Sequence, residues 1–144
     1  MNTRRLAVLT VLPVALAAAG CGGGADRETA RPAVIEHVKG SNAERVRLTA
    51  AAARRIGVRT AVVKRVGSGA QVVIPYTALL YDPDGNTWTY TSPAPFVFQR
   101  KNIKVASIDG NLVLLSKGPR AGTKVVTEGA TEIWGVEYGG IQED

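Results

Sequence analysis

Residues 73–91, VIPYTALLYDPDGNTWTYT, constrain this chain more than any other stretch. An apolar run leads into Asp82-Pro83-Asp84-Gly85, and a run that alternates threonine with aromatic residues follows. Pro83 presets its own φ for a turn corner, the Asp82 carboxylate can bond the turn backbone, and Gly85 takes positive φ without a Cβ penalty. Trp88 and Tyr90 share one parity and Thr87, Thr89 and Thr91 the other, which is the period of a strand with one buried face. The stretch therefore predicts a β-hairpin, strand-like over 77–81 and returning over 87–91. Pro75 cannot donate to a ladder, so it marks a strand start or an edge.

The same turn chemistry recurs along the chain. Residues 46–49 predict a short strand. Thr49 stands as an N-cap before an alanine-rich run to Ile56, with Gly57 placed to end a short helix. A strand over 58–66 follows, then a loop at Gly67-Ser68-Gly69-Ala70 and a strand over 71–74. Phe96, Phe98 and Arg100 share one parity of a later strand, with room for a bend at Lys101-Asn102 before Ile103 and Val105. Asp109-Gly110 is a hairpin signal between 105–108 and 112–115. A wider turn at 118–122 precedes a last core strand at 124–127, and residues 131–134 predict a helical turn before Gly135. Turn signals about every 8–12 residues, with no long helical period, predict an all-β fold. The expected architecture is a small β-barrel or sandwich of about six or seven strands with one short N-terminal helix, preceded by a disordered tether. Trp88, Phe96 and Phe98 are its aromatic core candidates.

The N-terminus reads as an address. Arg4 and Arg5 precede an apolar run over 6–19 and a set of small residues, the layout of an export signal. The run is too short to cross ~30 Å of hydrocarbon, which takes about 20 apolar residues. Residues 16–21, LAAAGC, are similar to a bacterial lipobox, with Ala18 where such boxes usually carry Leu. The resemblance implies that Cys21 becomes the first mature residue and carries lipid, holding an exported protein to a membrane on its extracytoplasmic side. Cys21 is the only cysteine, so no internal disulfide can form. The expected organisation is a lipoprotein signal at 1–20, a flexible tether at 21–45, a β domain at 46–138 and a loose tail at 139–144.

Charge narrows the partners. Residues 26–65 hold ten basic and four acidic side chains, and residues 66–144 hold six and eight. A basic segment beside a lipid anchor suits an anionic membrane surface, at about 1 kcal/mol per basic residue close to it; otherwise it is a solvated linker. No base-stacking aromatics are interleaved with these charges, so nucleic acid is not an expected partner. His37 is the sole histidine and lies in the expected tether, without the ligand set a metal needs. Asp82 and Asp84 shape a turn, and Glu128 and Glu132 lack a second catalytic group. No nucleophile with a base and no acid pair is legible, so neither catalysis nor a cofactor is expected.

Five ordered stretches resemble the periplasmic adaptor (membrane fusion protein) family of bacterial efflux transporters. Residues 46–63 (VRLTAAAARRIGVRTAVV) look like that family's opening, and 74–90 like its Ile-Pro to Trp-x-Tyr hairpin. Residues 98–108 look like its strand with an aromatic and a basic pair, 114–126 like its glycine turn and Val-Val strand, and 129–137 like its closing turn. The resemblance implies the membrane-proximal domain alone. Where full adaptors carry a lipoyl-like sandwich, usually a helical hairpin and a second barrel, this chain has only residues 67–70. It implies a non-catalytic accessory module for an inner-membrane transporter, unable to bridge two membranes. Arg100, Lys101 and Lys104 are either a solvated strand face or, with Trp134, a docking patch. The alternative is an envelope lipoprotein that binds a small or polymeric ligand and shares only the fold.

Overall fold

The hairpin around Asp82–Gly85 forms. The computed structural model describes residues 31–38, 44–69 and 71–139. In chain order these form β1 (Ala33–His37), β2 (Glu44–Leu48), α1 (Ala50–Ile56), β3 (Arg59–Val62), β4 (Lys64–Arg65), β5 (Val72–Pro75), a 3-10 turn (Tyr76–Ala78), β6 (Leu80–Tyr81), β7 (Thr87–Ala94), β8 (Val97–Asn102), β9 (Lys104–Asp109), β10 (Leu112–Lys117), β11 (Lys124–Glu128) and α2 (Ala130–Gly139). Leu80 faces Trp88 across the β6–β7 pair. The turn is closed as its residues dictate: Gly85 has φ +80° and the Asn86 N–H donates to Asp82 Oδ1 at 2.8 Å.

Two sheets share the interior. The first runs β1-β2-β8-β7-β11-β3, with β6 added to β7, and the second runs β4-β5-β10-β9. The chain is mostly strand and its sheets do not close into a barrel, so the architecture is a β sandwich with two helices. Among the described residues eleven extended segments appear where six or seven strands were expected, partly because two expected strands are cut at corners. The strand read over 58–66 breaks at Val63, and the later run breaks at Ile103, directly after the bend expected at Lys101-Asn102. At both points the chain leaves the first sheet and enters the second, a known way of turning a sandwich corner. Each corner residue is 1 % exposed, and each keeps its backbone bonded. Val63 N–H donates to Thr123 O at 2.8 Å, and Ile103 N–H donates to Thr87 O at 3.0 Å.

The two faces of β11 explain the layering. Val125 packs with Ile74, Val113 and Leu115 from the second sheet, whereas its neighbour Val126 packs with Tyr90, Phe98 and the helical Ala53 and Ile133. The middle of the first sheet is therefore covered on both sides. This corrects the reading of residues 87–91 as a half-buried strand: Thr89 and Tyr90, of opposite parity, are both fully buried.

α1 forms between its expected caps. The Ala52 N–H donates to Thr49 Oγ1 at 3.1 Å, and Gly57 ends the helix at φ +76°. The expected tether is corrected over part of its length. Residues 33–37 are a strand, paired with β2 in the register Ala33 to Leu48 through His37 to Glu44. Ala33 is buried, and Glu36 accepts from Arg47 Nε at 2.9 Å. His37 is thus a strand residue, its Nδ1 3.5 Å from Glu44 Oε1. The export signal, Cys21 and the tail beyond 139 lie outside the described residues.

Three further expectations change. Of the strand expected over 77–81, only Leu80–Tyr81 forms; residues 76–78 are a 3-10 turn. Phe96 is 41 % exposed in the β7–β8 turn, whereas Phe98 is core. The helical turn at 131–134 is one part of α2, which runs through Gly135 with Ala130, Ile133 and Glu137 on its buried face. Among the described residues no helix is long and apolar enough to cross a membrane.

Candidate functional site

The four docking candidates do not converge on one exposed patch. Arg100 is drawn inward by α2: its Nε lies 3.3 Å from Glu137 Oε1, with side chains 19 % and 3 % exposed. Its guanidinium carbon sits 4.4 Å from the Trp88 ring centroid and 4.9 Å from that of Tyr138, positions worth about 0.5–2 kcal/mol each as cation–π contacts. Arg100 also donates to the Tyr138 hydroxyl, and Glu137 accepts from the Tyr90 hydroxyl. Burial, and then this bond to Glu137, push the Tyr90 hydroxyl well above the usual tyrosine range. Trp134 packs against the helix-side core and, at 5.8 Å between centroids, against Tyr138. Lys101 and Lys104 are exposed, the first on β8 of the first sheet and the second on β9 of the second. A small hollow of ≈ 350 Å³ lies beside Glu44, Arg100, Glu137 and Tyr138. Its cation is already paired with the Glu137 carboxylate, so it has little left to offer a charged ligand.

A larger cleft of ≈ 570 Å³ opens elsewhere, between the C-terminal end of α1, the β7–β8 turn and residues 122–124. Three pieces of local chemistry make it. Gly57 ends α1 in the left-handed region, so the chain turns sharply and Val58 forms one wall. Pro93 and Pro95 stiffen the opposite wall. Pro95-Phe96 links Ala94 to its partner Val97, and Phe96 has φ +60°. Proline followed by positive φ is the pattern of a type II turn, which normally takes Gly at the second corner. Phe96 is the only non-glycine with positive φ among the described residues. Its carbonyl accepts the Leu48 N–H at 2.9 Å, which fixes the unusual backbone to β2. Phe98 closes the floor.

The cleft carries charge of one sign. Arg54 and Lys124 line it, and no Asp or Glu does. Neither cation has an ion-pair partner among the described residues. The neighbouring Arg59 is different, since its Nε pairs with Glu128 Oε2 at 3.1 Å.

The chain matches no protein-family model, and no curated protein or solved structure is significantly similar to it. The cleft therefore rests on its own geometry. Sequence reasoning missed it because its parts are far apart in the chain, at 53–60, 92–98 and 122–124. The one local signal was Pro93-Ala94-Pro95-Phe96, an apolar, proline-stiffened turn. Glu137 was missed for another reason: a carboxylate on the buried face of α2 reads as surface. Among the described residues no group of three His, Cys, Asp or Glu is placed to hold a metal.

Proposed function

We propose that the protein is a non-catalytic, membrane-anchored module of the cell envelope that docks on a membrane transporter as a reduced adaptor. The observation that carries this reading is the weave of the first sheet. β8, β7 and β11 from the C-terminal part are contiguous and lie between β1-β2 on one side and β3 on the other, all from the N-terminal part. Such a sheet suits a domain assembled from both ends of a longer ancestor, as the adaptor resemblance implies. Where that ancestor would carry its sandwich and helical hairpin, β4 and β5 pair directly, Lys64 opposite Val73, and Val66 N–H donates to Gln71 O at 3.0 Å. The module has no arm at this point to reach a second membrane. Cys21 supplies the attachment in this reading, and the basic residues over 26–65 lie next to it in the chain.

The test is a mild cross-link and pull-down from envelope membranes with the lipidated chain as bait, read by mass spectrometry, with Cys21→Ser as control. Recovery of an inner-membrane transporter, lost in the control, is the expected result. A bait that reaches the membrane and brings down no transporter overturns the docking reading.

The cleft favours a second reading, an envelope lipoprotein that binds a small ligand. An apolar hollow of this size, walled by a preformed turn and lined by two exposed cations, has the character of a ligand site.

A further inference from the structure

We infer that the cleft binds a small amphipathic anion, an apolar chain or ring with a single anionic head. The inference rests on the ligand-binding reading and names the chemistry of the ligand. The apolar body lies on Val58, Phe96 and Phe98, and the head is held by Arg54 and Lys124.

Three observations carry this beyond a generic apolar hollow. The first is charge. Both cations that line the cleft are without an ion-pair partner among the described residues, and no carboxylate lines it to neutralise them. A neutral apolar ligand would leave them idle. A zwitterion would bring a cation with no acid to meet it. The second is scale. A volume of ≈ 570 Å³ falls within the roughly 300–1,000 Å³ of small-molecule sites. The third is preorganisation. Phe96 is held at φ +60° with its ring partly exposed, and the Leu48 N–H pins its carbonyl. Non-glycine residues held in the left-handed region concentrate at ligand clamps, where the fold over-determines them. A wall set before binding costs less to order when the ligand arrives.

The experiment is an NMR titration of the full chain carrying Cys21→Ser, purified without detergent, with decanoate and, separately, decanol. Both probes share an apolar body and only decanoate carries the charge. The expected result is saturable shifts confined to amides near Val58, Phe96, Phe98 and Lys124, with decanoate bound at least about tenfold more tightly, a modest yield for one well-placed charge contact. Replacing both Arg54 and Lys124 by Gln is expected to bring decanoate down to about the affinity of decanol. Equal binding of the two probes overturns the anionic head and leaves the ligand-binding reading standing. Saturable shifts confined to another surface, or no saturable shifts with either probe, overturn both. The comparison of probes on the unaltered cleft needs no cleft variant to fold, and the pull-down of a transporter is decided separately.

Discussion

The Tyr90 hydroxyl, on a central strand, donates to the Glu137 carboxylate on the C-terminal helix, 47 residues further along the chain. With Arg100 on its other side, Glu137 is a buried acid with two partners from the first sheet. Tyr90→Phe keeps the ring and removes the hydroxyl, leaving the carboxylate short of one donor. The expected loss is about 1–3 kcal/mol in urea unfolding at neutral pH. The pH dependence has a definite sign. The folded-state pKa of Tyr90 lies above the ordinary value of about 10. Its contribution is therefore whole below pH ~10 and is lost as pH rises further, by up to about 1.4 kcal/mol per unit. Urea midpoints at pH 9 and pH 11 check this, and Tyr90→Phe should fall less between them than the unaltered chain.

That bond also marks where the sequence stops being legible. The Asp82 turn, the helix between Thr49 and Gly57 and the strand at 124–127 were readable because turn and cap residues act over four or five positions. α2 has a buried stripe of Ala130, Ile133 and Glu137 at helical spacing, but one member is a carboxylate whose partners come from β7 and β8. Hydropathy alone cannot see that pairing. β1 was missed because its inward residues are only Ala33 and Ile35, too short a pattern to stand out from a linker. The corner at Val63 looks like an ordinary strand residue, since what bends the chain there is a second sheet, whereas the corner at Ile103 falls beside the bend that Lys101-Asn102 signalled. The cleft needs three distant segments and a backbone angle that no composition rule assigns to phenylalanine.

Thr89 offers a test of two-sided burial. It is fully buried, and its hydroxyl has no hydrogen-bond partner among the described residues. Thr89→Val keeps the shape and the strand preference while removing an unsatisfied polar atom. The expected outcome is a gain of about 1 kcal/mol in urea unfolding. A half-buried strand with its threonines in water would instead show almost no change.

Gly129 and Gly85 both take positive φ, +82° and +80°, in different surroundings. A Cβ at Gly85 meets nothing within 4 Å, whereas one at Gly129 falls 2.8 Å from Ile56 Cγ2 and 3.1 Å from Val58 Cγ2. Gly85→Ala should cost only the backbone strain, about 1–2 kcal/mol. Gly129→Ala adds overpacking at the junction of α1 and α2, about 1–3 kcal/mol more. Thermal unfolding of the pair separates the two effects, and equal shifts would show that the helices part freely there.

Asp82 ties the hairpin together from its turn. Partial desolvation pushes its carboxyl up, but bonds from the Asn86 side chain, the Trp88 indole and the backbone of Asn86 and Asp84 outweigh this and hold it below the usual carboxylate range. A lowered folded pKa means its contribution is present above about pH 4 and is lost as pH falls through the folded value. The Trp88 indole donates to Asp82 Oδ2 at 2.8 Å, so Trp88 fluorescence reports the turn. A local acid transition is expected in the unaltered chain. In Asp82→Asn it should be absent, with an altered Trp88 signal already at neutral pH.

Phe96 separates stability from binding. Its φ of +60° imposes a cost of about 1–2 kcal/mol on any residue with a Cβ, and its ring, 41 % exposed, recovers only part of a buried aromatic's value. Phe96→Gly relieves the strain in a turn whose second corner glycine prefers. The domain should gain at most about 1 kcal/mol, since the loss of some ring contact and the greater freedom of glycine in the unfolded chain offset part of the relieved strain. The same change strips the cleft of a wall, so decanoate and decanol should both bind more weakly. A residue kept for packing alone would move stability and affinity down together. Opposite movement, measured by thermal unfolding and the NMR titration on one sample, is the signature of a turn strained for its ligand.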